Sequence, residues 1–210
     1  SLDLKNSDAE ARSKAASAMA AANKEFRPYM KDIILGKKNF ILDGTAANSK
    51  PTLRLKKELE DLGYDILMVY VFASLEKALD RNETRFQRSQ GEDRSLSPAI
   101  VMRTWNGITQ NYDLYKNEFG NNFISVVNDK ALKKGESQKS LEDLLDKYVT
   151  PYKPTDTKPK TDKQQQKSDQ QKAELNKQIT DFINSDKVED IKNNSVSKDE
   201  AKTKVNQFFS

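Results

Sequence analysis

Asp43 and Thr45 flank Gly44 at the end of the run Asn39-Phe40-Ile41-Leu42, setting a carboxylate and a hydroxyl on either side of a residue with no side chain. A short buried strand that delivers this pair into a glycine-loosened turn would place Asp43 to orient or deprotonate a hydroxyl, and Thr45 beside an incoming group. Arg81, Arg85 and Arg88 recur along one predicted helix, and Arg94 follows Gly91. An arginine fork pairs bidentately with phosphate oxygens and never loses its charge. Arg81, Arg85, Arg88 and Arg94 are therefore candidates for contact with an oxyanion. Asn111 is a further candidate, in reach of a nucleotide or an acceptor. The plainer uses are an Asp–Thr pair capping a turn and an exposed helix end laced with Arg–Glu pairs.

These residues need a scaffold, and the apolar runs describe one. Asn39–Thr45, Ile66–Phe72 and Asn122–Val127 each read as a buried strand, built on Phe40–Leu42, on the whole of the second run and on Phe123–Val127. Between the first two, Asn48-Ser49-Lys50-Pro51 opens a helix whose Leu53, Leu55, Leu59 and Leu62 form one face before Gly63 stops it. Strands buried on both faces and joined through a helix make a parallel α/β sheet. A helix from Ser7 to Phe26, rich in alanine, is expected to pack on that sheet, with Pro28 kinking its continuation to Gly36. Another helix runs from Ser97-Pro98 to Phe119-Gly120, and its stripe of Trp105, Ile108, Tyr112 and Tyr115 is core-forming.

The order strand-DGT, helix, Gly63-Tyr64-Asp65-strand, helix with Arg81-Asn82-Glu83-Thr84-Arg85, basic loop and tryptophan-bearing helix resembles the P-loop kinases of the zeta-toxin type, especially those of tailed phages. The resemblance spans roughly residues 10 to 150. It implies transfer of the ATP γ-phosphoryl group to a hydroxyl with Mg²⁺, with Asp43, Arg85 and Arg94 as catalytic residues. Thr45, Arg81, Arg88 and Asn111 would bind substrate. One departure is that Glu92 and Asp93 stand between Gly91 and Arg94, where the family pattern has a tighter Gly-Arg pair. A larger one is the lack of a G-x-x-x-x-G-K-[ST] run, whose backbone N–H groups cradle phosphates. Gly36-Lys37 is followed by Lys38 and has no glycine five residues upstream. The expectation is an N-terminally incomplete chain of P-loop-kinase type, lacking the strand and loop that the resemblance places between the DGT and GYD strands. Two apolar edges would then face a gap to be filled by a partner chain, a second fragment or a rearranged sheet.

Composition sets outer limits. The 210 residues carry 36 basic and 32 acidic side chains, a balance of +4 that makes nucleic acid the last-ranked partner. With no histidine and no cysteine, acid–base work falls to carboxylates, lysine or tyrosine, and thiolate metal sites and disulfides are excluded. No apolar run approaches a membrane span of roughly 18 residues, so the cytoplasm is the default compartment, the host's if the chain is phage-encoded, with a virion as the other location. Three segments result: a kinase-like α/β domain over 1–149, a polar linker over 150–171, flexible or partly helical, and a small helical tail over 172–210. Tail residues Leu175, Ile179, Phe182 and Ile183 fall at helical spacing, and Ser197 with Glu200 caps a second helix. Two such helices are too small to stand alone. They are expected to dock on the body or on a protein partner. The alternative to a phosphotransferase is a non-catalytic, phage-associated assembly or scaffold protein with a kinase-like body.

Overall fold

The computed structural model describes residues 9–88, 96–129, 139–148 and 161–210. Its centre is a parallel pair, β1 (Met68–Phe72) and β2 (Phe123–Val127), in the register Met68↔Phe123 to Phe72↔Val127. Parallel strands need covered faces and a long crossover. The crossover here is α3 (Leu75–Arg88), α4 (Pro98–Gln110) and α5 (Tyr112–Phe119). Upstream lie α1 (Ala9–Leu35) and α2 (Ser49–Asp61); downstream come α6 (Leu141–Tyr148), α7 (Asp162–Ile183), α8 (Lys187–Asn193) and α9 (Lys198–Phe208).

One face of the pair carries Tyr70 and Phe72, packed with Leu75, Trp105 and Tyr112 in the main core. Aromatic edges set that packing: Tyr70 meets Tyr112 at 5.0 Å and Trp105 meets Phe182 at 5.3 Å, both near perpendicular. The expected single helix from Ser97 to Phe119 is two helices broken at Asn111, and Trp105, Tyr112 and Tyr115 are all buried as the stripe requires.

Three expectations are corrected. Residues 38–48 form no strand, although they run beside β1 in its direction, from Phe40 stacked on Tyr64 to Ala47 against α4. A strand requires a hydrogen-bonded neighbour, and the space between this segment and β1 is a cavity. Helix α1 does not pack on the sheet: its residues from Ser17 to Tyr29 are exposed, including Met19 and Phe26. Alanine offers little apolar area to bury, and near the helix's end the carbonyls of Ile33 and Ile34 accept from the Tyr64 hydroxyl. Ser7, its expected cap, lies outside the described residues.

The tail is built of three helices rather than two, and it docks on the body. Residues 162–171, polar throughout, form the first half of α7 behind a Thr161–Gln164 capping box. Ile179, Phe182, Val188 and Ile191 enter the main core. Val196 then lies along the outer edge of β2, its N–H donating to the Ser125 carbonyl at 2.8 Å, and α9 covers Ile124 and Val126 with Ala201 and Val205. The other part of the proposed linker, 150–160, lies outside the described residues.

Because Ile191 is fully buried in this joint, Ile191→Ala is expected to cost about 2–5 kcal/mol, with body and tail unfolding in one transition by circular dichroism and tryptophan fluorescence. A second expectation concerns pH. Burial, then the neighbouring Tyr112 and Tyr115, pushes the Tyr70 phenol far above its ordinary 10.0, and burial raises Tyr112 and Tyr115 as well. Raised folded pKa values mean that the unfolded chain releases these protons first. The stabilisation is therefore intact below about pH 10 and falls as pH rises beyond it. Urea midpoints at about pH 9 and pH 11 should show the loss, and Tyr70→Phe should flatten it.

Candidate functional site

Asp43, Gly44 and Thr45 are exposed and line the cavity beside β1. What holds their segment is α4 and α5. The Tyr115 hydroxyl donates to the Ala46 carbonyl at 2.6 Å and Asn111 Nδ2 to the Ala47 carbonyl at 3.1 Å. Gly107 lets the segment approach: a Cβ there would stand 2.6 Å from the Ala47 oxygen. Ala46 itself sits at φ +48, a left-handed conformation that a non-glycine residue keeps only when its surroundings impose it. Asn111 thus reaches the DGT segment through a backbone carbonyl.

A second group gathers at the carboxyl ends of β1 and β2, where parallel sheets bind ligands. Ser74 Oγ accepts from the Lys77 N–H, capping the first turn of α3, and donates to Asp129 Oδ2 at 2.5 Å. The Ser74 N–H donates to the same oxygen at 3.3 Å. One turn further along α3, Arg81 Nη2 donates to the Asn128 carbonyl at 2.7 Å. Trp105 Nε1 donates to the Ala73 carbonyl at 2.8 Å, tying α4 to the same end of the sheet. A buried carboxylate at the start of a helix complements the partial positive charge of its free N–H groups. The α3 helix is therefore anchored to residues 128 and 129, and Arg85 and Arg88 project from its exposed last turns. Arg94 lies outside the described residues.

Ser74 and Asp129 are the pair that sequence reasoning passed over. Each follows an apolar strand run within two residues, and that position was the available signal.

The two groups sit at opposite ends of α4. Asn82 exchanges hydrogen bonds with Leu96, before the first turn, whereas Asn111 and Gly107 hold Ala47 at the last. A 13-residue helix is about 20 Å long, so Asp43 with Thr45 and the arginines of α3 are not drawn into one contact set.

No group of three or more carboxylates that would hold a metal ion occurs among the described residues. Magnesium at a nucleotide needs less, one or two carboxylates besides the phosphates, and Asp43 is an exposed carboxylate on the cavity's lining. A backbone cradle for the phosphates is a different matter, since the sequence has no run that would form one. No helix among the described residues is long and apolar enough to cross a membrane.

A two-stranded parallel sheet with a helical crossover, and an arginine-bearing helix anchored at the strands' carboxyl ends, make a mostly helical α/β protein consistent with a P-loop-kinase-like fold. The family model for zeta toxin matches residues 6–143, and the chain belongs to that family. No curated protein and no solved structure matches it.

The Gly107 contact yields a test. Gly107→Ala is expected to destabilise the protein by about 1–3 kcal/mol and to raise amide exchange in residues 44–47 selectively, because the added methyl pushes the Ala47 carbonyl away. Unchanged exchange there would mean that α4 does not set the position of the DGT segment.

Proposed function

We propose that this chain is the acceptor and arginine portion of an ATP-dependent phosphotransferase that acts on a hydroxyl-bearing acceptor. The observation that carries the reading is the zeta toxin match, which spans both the DGT segment and the arginine helix. ATP with Mg²⁺ would supply the phosphoryl group. Asp43, exposed at the cavity rim, is suited to orient the acceptor hydroxyl and take its proton, and Thr45 beside it to hydrogen-bond the acceptor. Arg85, with Arg94 and Arg88, is suited to meet phosphate oxygens, while Arg81 steadies the helix that presents them. The phosphate cradle comes from outside these 210 residues, and without it the chain transfers nothing efficiently. The compartment that fits this chemistry is a cytoplasm with its ATP pool.

A second reading, a non-catalytic assembly protein of phage origin with a kinase-like body, is favoured by the separation of Asp43 from the α3 arginines along α4.

The test is transfer from γ-labelled ATP by the protein at its natural length, with intact mass and N-terminal peptides determined first. A mass above 23.9 kDa and a G-x-x-x-x-G-K-[ST] peptide are expected, and Asp43→Ala and Arg85→Ala should each lower transfer about 10²–10³-fold without moving the urea midpoint. Full activity in both variants, or none in the unaltered protein, defeats the phosphotransferase reading and leaves the assembly one.

A further inference from the structure

The carboxyl end of the sheet is reached from the tail as well as from α3. Residues 195–198 run beside the outer edge of β2 in step with it. The Ser195 and Ser125 hydroxyls meet at 2.8 Å, Val196 bridges Val126, and Lys198 Nζ donates to Asn128 Oδ1 at 2.7 Å. All three contacts join residues 70 apart, the constant offset of a parallel pairing. Asn128 is where this line meets the arginine helix. Its N–H donates to the Phe72 carbonyl at 2.7 Å, one step beyond the ladder, and its carbonyl accepts from Arg81 Nη2. Next to it, Asp129 accepts from the N–H and the hydroxyl of Ser74 at the start of α3.

We propose that the C-terminal tail positions the arginine-bearing helix through Asn128, with Lys198 and Asn128 as positioning residues for Arg85 and Arg88. The coupling stands on geometry alone, whereas its effect on catalysis rests on the phosphotransfer reading.

Three features carry the coupling. The residue whose carbonyl holds Arg81 has its own side chain held by the tail, through a charge-assisted bond from an ammonium group. Lys198 is also presented from a fixed point. It is the first residue of α9, whose start is set by the Ser197 hydroxyl accepting from the Glu200 N–H, and whose Ala201 packs on Ile124 and Val126. Finally, Arg85 and Arg88 lie about 6 Å and about 10 Å along the axis from Arg81, so a rigid helix carries any turn of its anchor out to them.

Local stability does not account for Lys198. The first turn of a helix favours negative charge, which Asp199 and Glu200 supply, and a cation there works against the backbone dipole. An exposed lysine, screened by water, also adds little to the stability of the fold. What its bond supplies is direction, at the end of the sheet where the arginine helix is anchored.

Lys198→Met keeps the stem and removes the donor, Lys198→Arg keeps a donor, and Asn128→Ala spares the main-chain bonds to Phe72 and Arg81. In the full 210-residue chain, Lys198→Met and Asn128→Ala are expected to raise amide exchange about two- to tenfold in residues 81–88. Exchange in α9 and the urea midpoint should not move, and Lys198→Arg should keep the original rates. In the protein at its natural length, the first two variants should lower kcat for transfer from γ-labelled ATP about tenfold. The acceptor KM should stay unchanged, because the DGT segment is held from the other end of α4. Unchanged exchange in α3, or exchange raised alike in α3 and α9, overturns the coupling. Raised exchange with unchanged kcat overturns the positioning role. No transfer by the unaltered protein defeats the phosphotransfer reading instead, and the exchange comparison then decides the coupling by itself.

Discussion

Everything in this protein is arranged around the need of a two-stranded parallel pair for cover. Five residue pairs of parallel ladder are not stable alone in water, and the pair depends on the helices that cover it. Helices α4 and α5 shield one face with aromatic side chains. The tail shields the rest of β2, lending Val196 to its edge and α9 to its second face. Among the described residues no strand pairs with the outer edge of β1, which borders the cavity.

The tail is consequently part of the fold. Its attachments are polar as well as apolar: Lys187 pairs with Asp113, Asn106 Nδ2 donates to Gln178 Oε1 at 2.8 Å, and Lys198 Nζ donates to Asn128 Oδ1 at 2.7 Å. The exposed pairs among these contribute little energy but fix direction, while Ile179 and Ile191 supply the burial. The zeta toxin match ends at residue 143, and the tail beyond it covers part of the sheet and lines the cavity beside β1.

Helix α4 acts as the spacer of the candidate site. Trp105 ties it to the carboxyl end of β1, and Gly107 with Asn111 fastens the DGT segment at its other end. The separation of Asp43 from Arg85 is thus a property of a rigid element.

Much of this was legible in the sequence. The largely apolar runs at Ile66–Phe72 and Asn122–Val127 specified parallel strands, although Val69 and Val71 on one face of β1 are exposed. The order of DGT, GYD and arginine segments specified the family, and caps such as Asn48 and Ser197 specified where α2 and α9 begin. Tertiary structure alone decided the rest. Asn39–Thr45 has the composition of a strand but is none, since strand formation depends on a neighbour that no local pattern reveals. Alanine-rich α1 is helical by propensity yet stands exposed, since packing depends on the area available to bury. Ser74 and Asp129 meet 55 residues apart in the chain, a contact set by the parallel register and by nothing in their own surroundings. Local physics chose the elements, and the pairing of distant backbones chose which of them became strands, which were covered, and which edge was left open.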